Sequence, residues 1–422
     1  MLNCFDKSVT TKTILYISYD GMTDPLGQSQ VLPYLCGLSA SGYVIHLISA
    51  EKPDNFGQMR FEIEAICKAN NIQWHPVTYT KNPPIVSTIN DIRKISQLAK
   101  SLHSQFSFDL VHCRSYISGI IGLRLKREYK IPFLFDMRGL WVDEKVDGNI
   151  WNLNNPVFKI IYNYFKKKEK ELFKEADGLI SLTHKACTVI HTIQPNPVKH
   201  QRIQVIPCCA DVNHFNPILT TSAGVDEWKN KLGIKDSDFI FAYLGSFSTW
   251  YLPKEMLQFF KRLLLHKPES RFLVITHDSA ELLLKYANEC GVPAEKIIIT
   301  KSNRKELPAL LKLIHTSISF IKPSFSKIAS SPTKIGELLS MGIPVVCNKG
   351  IGDTDEIILQ SGAGVVCSGY TDDQYDQAIE DLLRLQRGVS PEKIREEAIR
   401  IFSLEEGVSK YKAMYDHLTS HS

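Results

Sequence analysis

Along this chain, short apolar runs alternate with stretches whose apolar residues recur every three or four positions, and the alternation occurs twice. In the first half, runs at residues 13–18, 43–49, 71–77, 110–114, 132–138, 178–183 and 203–208 predict strands. Between them, residues 30–41, 58–70, 90–104, 118–130, 159–176 and 184–193 have the length and period of crossover helices. That order predicts a parallel sheet covered by helices. Residues 211–224 are polar, hold Pro217 and Gly224, lack a period, and read as a linker. A second series follows, with strands expected at 239–245, 271–276, 296–300, 316–321, 344–348 and 364–367. Its helices are expected at 253–266, 280–289, 305–315, 332–341 and 372–385. The last ~30 residues read as helical, with Tyr411, Met414, Tyr415 and Leu418 at helical spacing. The expectation is an α/β chain of two doubly wound parallel-sheet domains, residues 1–217 and 218–400, followed by a terminal helix over 401–422.

Composition narrows the classes. At 422 residues and 44% hydrophobic, the chain can bury two proper cores. Its ten cysteines are scattered without a CxxC pair, which suits reduced thiols in the cytoplasm better than a disulfide frame or a zinc site. No apolar run approaches the ~20 residues that span a bilayer, so the chain is expected to be soluble or at most peripheral at a membrane. Residues 1–217 hold 25 Lys and Arg against 19 Asp and Glu, while residues 218–422 hold 25 against 26. The surplus is too weak for a duplex-DNA binder, and no nucleic-acid partner is expected; it reads as ordinary surface charge, with an anionic membrane surface or a phosphorylated acceptor as the alternative.

In open parallel sheets, ligands bind outside the carboxyl ends of the strands. One such end is SSPTKIGELLSMGIPVVCN, residues 330–348. Ser331 is expected to cap a helix starting at Pro332, leaving the amides of Thr333 and Lys334 as an anion cradle. Glu337, one turn on, shares their face. A nucleoside diphosphate makes this pair of demands, with phosphates for the helix end and a ribose diol for the carboxylate. Other loops of the second half agree: Gly245, Ser246 and Ser248 with Trp250 and Tyr251, then His277, then Ser302 and Arg304. In the first half, Gly27 and Gln28 open a helix after the first strand, Arg114 ends the fourth, and Asp136, Arg138, Trp141 and Glu144 crowd the end of the fifth. Asp353 and Asp355 spell an aspartate pair but do not specify a metal site. The run Lys166 to Glu175 reads as a solvated helix face.

Four landmarks in order, GQSQ near residue 28, VIPCCADVNHFNP at 205–217, SPTKIGELLSMGIPVV and FSLEEGVSKYKAMY at 402–415, resemble the glycosyltransferase family 4 enzymes of the GT-B fold. The resemblance implies two Rossmann-like domains facing a cleft, with the terminal helix returning to the first. It implies retaining transfer of a hexosyl-type sugar from a nucleotide-diphosphate sugar, without a required metal or other cofactor. The implied partner is a glycan or lipid-linked acceptor in a bacterial surface-polysaccharide or glycolipid pathway. Glu337 matches the family glutamate that binds ribose, and Thr333 and Lys334 match the diphosphate-binding helix start. Arg138 stands where many relatives carry a catalytic-pocket histidine, Ser246 where many carry a phosphate-binding arginine, and Ala329 where the family's first motif glutamate is expected. Asp136, Arg138 and Lys334 are then the expected catalytic groups, with Lys322 and Lys327 helping to offset phosphate charge. Gly27, Gln28, Arg114 and Trp141 are expected on the acceptor side. A nucleotide-sugar epimerase of the same fold, and an inactive partner subunit, stay open as alternatives.

Overall fold

The computed structural model describes residues 11–83, 85–194, 202–247 and 249–420. Ser248, expected among the phosphate donors, lies outside the described residues. The first half runs β1 (Thr13–Ser18), α1 (Pro25–Gln30), α2 (Leu32–Ala40), β2 (Val44–Glu51), α3 (Pro53–Ala69), β3 (Ile72–Thr78), α4 (Val86–Phe106), β4 (Leu110–Arg114) and α5 (Ser115–Tyr129). It continues through β5 (Phe133–Asp136), α6 (Trp141–Asp147), α7 (Pro156–Glu175), β6 (Gly178–Ser181), α8 (His184–Ile193) and β7 (Arg202–Val205). These strands pair in parallel in the order β3-β2-β1-β4-β5-β6-β7. The reversal of direction beside β1 places a crevice at the carboxyl ends of β1 and β4.

The second half begins with α9 (Ser222–Lys231), β8 (Phe239–Leu244), α10 (Pro253–His266), β9 (Ser270–Ile275), α11 (Ala280–Cys290), β10 (Ile297–Thr300), α12 (Leu307–Leu311) and β11 (Thr316–Ser319). A 3-10 turn, Phe325–Ala329, precedes α13 (Thr333–Ser340), β12 (Val345–Asn348), α14 (Thr354–Ser361), β13 (Gly364–Cys367) and α15 (Asp372–Gly388). The six strands form a second parallel sheet, β10-β9-β8-β11-β12-β13. The chain closes with α16 (Pro391–Phe402) and α17 (Leu404–Thr419). All thirteen expected strands form; the central ones are short runs buried on both faces, while the edge strands β3, β7 and β10 are partly exposed.

The differences are local and have physical causes. The helix expected over 30–41 forms as α2, with the short α1 ending at Gln30 ahead of it because Val31 leaves the helical region at φ −127° and ψ −65°. The strand expected to reach Arg138 ends at Asp136, and Arg138 turns into the left-handed region at φ +57°. Helix α9 begins inside the expected linker because the Thr221 side chain caps it, accepting from the Gly224 amide. The terminal helical stretch divides at Ser403, whose hydroxyl accepts from the Glu406 amide and restarts the chain as α17. Helix α16 packs on α13, whereas α17 lays Tyr411, Met414, Tyr415 and Leu418 into the first domain's core beside Ile14 and Leu134. The run 166–175 is not wholly solvated: Glu169 is fully buried, accepts from the Tyr116 hydroxyl at 2.5 Å and pairs with Lys166.

Candidate active site

A cleft of about 1480 Å³ lies between the two sheets. Of the residues expected at the site, it brings together Arg114, Arg138 and Trp141 from the first domain with Ser331, Thr333 and Lys334 from the second. The second-domain wall is the start of α13. Pro332 is its N-cap and no side chain caps it, so the expected Ser331 cap does not form. Ser331 instead accepts from the Cys208 amide at 3.1 Å, fastening the helix entry to the interdomain connection. With the cap spent elsewhere, the first amides of α13 stay open toward the cleft, and a helix start of this kind favours an anion.

Lys334 sits over this opening. Its ammonium is 5.1 Å from the centre of the Tyr251 ring and forms no ion pair among the described residues. The residue beneath it must be glycine: Gly245 has φ +147°, and a Cβ there would lie 2.2 Å from Lys334 Nζ. Glu337, one turn along α13, is 8% exposed, and its Oε1 is 3.4 Å from Arg304 Nη1. Burial pushes its carboxyl above the usual range, with Arg304 and Lys334 pulling the other way. His214 Nε2 donates to the Arg304 carbonyl at 2.9 Å, so the linker positions the arginine that holds Glu337. His277 is exposed on the loop after β9, Lys322 is exposed, and Ser302 donates to the Asn303 carbonyl. Tyr243 donates to the Ser246 carbonyl at 2.5 Å.

Two residues expected to meet the donor are engaged elsewhere. Lys327 Nζ is 2.7 Å from Glu144 Oε1 of α6 and 3.7 Å from the centre of the Trp250 ring, so both close the interdomain seam. The Ser326 amide donates to Asp147 at 2.8 Å in the same seam. Opposite, Asp353 accepts from the amides of His184 and Lys185 at 2.6 and 3.1 Å, and Asp355 pairs with Lys185. Asp353 therefore meets the first amides of α8 in the other domain beside the Thr183 N-cap, Asp355 holds the Lys185 side chain, and among the described residues no group of three His, Cys, Asp or Glu gathers as a ligand set. Neither clasp was legible in the sequence, because each joins residues far apart in the chain.

On the first-domain wall, Arg138 is buried to 8% side-chain exposure. Its Nη2 lies 3.4 Å from Gln30 Oε1 and 3.2 Å from Cys208 Sγ, while Nε and Nη1 have no hydrogen-bond partner. Asp136 stands behind it, Oδ2 4.0 Å from Arg138 Nη1, fully buried and accepting from the Tyr411 hydroxyl of α17 at 2.7 Å. Burial alone would raise the Asp136 carboxyl, yet Arg138, His112 and Arg114 hold it below the usual range. His112 Nδ1 meets the Tyr415 hydroxyl at 2.7 Å, and burial lowers the pKa of its imidazole. Asp136 thus backs Arg138 rather than lining the cleft. Arg114 donates to Asp20 at 3.2 Å. Gly27 packs so closely on Gly21 that a Cβ would fall 2.2 Å from its carbonyl oxygen, and Gln28 donates to the Thr23 carbonyl. Ala329 is fully buried in the apolar cluster that holds Met137 and Leu140, so the position where the resemblance expects a glutamate is an apolar contact between domains.

Comparison with known proteins places this geometry. Residues 29–214 match the model for Glycosyltransferase Family 4, and residues 224–400 that for Glycosyl transferases group 1. A D-inositol 3-phosphate glycosyltransferase of Mycobacterium marinum is 22% identical over 300 residues, covering 69% of this chain. The match spans 59% of that relative's length. Among solved structures, a glycosyltransferase of Rickettsia africae superposes with a TM-score of 0.69 at 16% identity, over 98% of this chain and 100% of its own. Anabaena HepE, solved with UDP and glucose, gives 0.66 at 12% identity over 96% and 99%. At such identities the two structures establish the shared GT-B fold.

Proposed function

Because the chain belongs to the family 4, group 1 glycosyltransferases, we propose that it moves a sugar from a nucleotide-diphosphate sugar to a hydroxyl acceptor, with retention of anomeric configuration. The observation that carries this reading is the uncapped start of α13, which faces Arg138 across the cleft with Glu337 one turn behind. The donor diphosphate lies on the Thr333 and Lys334 amides, and the Lys334 ammonium offsets the charge that grows on it as the glycosidic C–O bond breaks. Glu337 accepts from the ribose hydroxyls, which takes up the carboxylate oxygens that Arg304 leaves open.

The acceptor hydroxyl enters from the first-domain wall, on the face from which the diphosphate departs. It bonds to the anomeric carbon while its proton passes to the leaving phosphate oxygen, giving the glycoside and a nucleoside diphosphate. No protein nucleophile is required, and the helix end with Lys334 supplies the charge that a metal supplies in other designs. Arg138, backed by Asp136, orients the acceptor. The setting we propose is cytoplasmic synthesis of a cell-surface polysaccharide or glycolipid.

A panel of nucleotide sugars tests the donor assignment: a true donor raises the melting temperature of the native protein. Glu337→Ala is expected to weaken that donor at least tenfold and to abolish transfer. Unchanged stabilisation and transfer in the variant would remove the site assignment, and a product sugar still attached to nucleotide would replace transfer by epimerisation.

A further inference from the structure

Sugar hydroxyls call for acceptors, and an ionised carboxylate is the strongest that a side chain offers. Among the described residues, the carboxylates lining the cleft are those of Asp20, Asp24 and Glu144. Asp24 holds Lys52 at 2.7 Å through one oxygen and Asn55 through the other, and Asp20 pairs with Arg114 at 3.2 Å. Both stand between β1 and α1 and find these partners within the first domain. Glu144 is placed differently.

It rises from the first turn of α6 and crosses to the second domain, where its Oε1 lies 2.7 Å from Lys327 Nζ. The side chain is 37% open to solvent, and among the described residues Oε2 has no hydrogen-bond donor. The turn that Glu144 reaches, Phe325–Ala329, leads into the open start of α13. That turn has no carboxylate of its own, and Ala329 packs into the apolar cluster of the first domain. Gly139 lets the two walls approach at this point, since a Cβ there would lie 3.8 Å from the Ala329 carbonyl oxygen. Beside the helix start proposed for the diphosphate, the carboxylate is thus supplied from the opposite domain.

We propose that Glu144 is a specificity-determining residue for the donor sugar, with Oε2 accepting a hydrogen bond from one of its hydroxyls while Oε1 stays on Lys327. The assignment rests on the transfer reading, and it names the group that reads the sugar rather than the nucleotide. Lys327 restrains the carboxylate before the sugar arrives, so little side-chain freedom is lost on binding. A nucleoside diphosphate without its sugar asks nothing of Glu144.

The test is a mutant cycle measured by calorimetric titration of the full chain. UDP and GDP are titrated first, and the one that binds is followed by its hexose conjugate, UDP-glucose or GDP-mannose. Analogues with a single hydroxyl replaced by fluorine, which cannot donate, complete the set. One analogue is expected to bind the wild type at least fivefold more weakly than the parent sugar. Glu144→Gln keeps a carbonyl for Lys327 but turns the free oxygen into a donor. It is expected to weaken the hexose conjugate about tenfold, to erase the fluorine penalty and to leave the bare nucleotide within about twofold. Lys327→Met loosens the seam yet keeps the carboxylate, so there the penalty should persist.

A penalty that survives Glu144→Gln would overturn the proposal, and so would a wild type indifferent to every analogue. A penalty lost in Lys327→Met as well would overturn it by tracing the effect to closure of the seam. A chain that binds neither nucleotide removes the donor reading together with this one. Nucleotide binding that depends on Glu337 keeps the donor reading, whatever becomes of Glu144.

Discussion

Single residues in this cleft act mainly through what they allow their neighbours to do. Gly245 carries no functional group, yet its missing Cβ and its φ of +147° give Lys334 its place over the α13 start. Gly245→Ala is expected to strain the backbone by about 1–3 kcal/mol. The flexible ammonium can swing aside, so the larger effect falls on the ligand: the UDP-induced thermal shift should shrink by at least half while the variant still melts cooperatively. An undiminished shift would show that Lys334 does not need that position. Ser331 teaches the same lesson from the other side. Its type and spacing are those of an N-cap, but the Cys208 amide is the donor it meets, and the helix end is left open as a result.

At the scale of elements, the strands and long helices were legible because periodicity is a local property, and the short helices α6 and α14 were missed because few turns carry little period. The pairing of β2 with β3 adds a consequence that no single strand announces. It sets His46 Nδ1 3.1 Å from His75 Nε2, with the rings stacked. Burial, and then the neighbouring imidazole, push His46 down to about 4, and burial lowers His75 as well. A histidine depressed in the fold binds its proton more readily when unfolded. Its stabilising effect is complete above about pH 6.5, and is lost as pH falls from there through about 4. Melting temperatures between pH 7 and 5 are therefore expected to fall more steeply for the wild type than for His46→Gln. Parallel curves would mean that the pair does not govern acid sensitivity.

The whole molecule depends on seams between residues hundreds of positions apart. Glu144 and Trp250 hold Lys327 from two sides, Asp353 meets the first amides of α8 across the cleft, and α17 ties Asp136 through Tyr411. Lys327 is 8% exposed on its side chain, so Glu144→Ala leaves a buried cation with only an aromatic face. The cost is expected to lie between the ~1 kcal/mol of a surface pair and the ~3–5 kcal/mol of a broken buried one. The closed arrangement should loosen, and small-angle scattering should report a larger radius of gyration. Lys327→Met keeps an apolar chain on Trp250 and frees a half-exposed Glu144, so it should change the radius less. Identical scattering from wild type and Glu144→Ala would sink the clasp. Division of the chain into two parallel sheets and a helix beginning within a residue of Thr333, with Glu337 one turn on, were written in the sequence, because hydrophobic period and helix chemistry act within a few residues. The open state of that helix start, the burial of Ala329 between domains and the diversion of Lys327 were decided only by tertiary structure. Each depends on which distant group arrives to satisfy or bury a side chain, and one-dimensional spacing does not encode that.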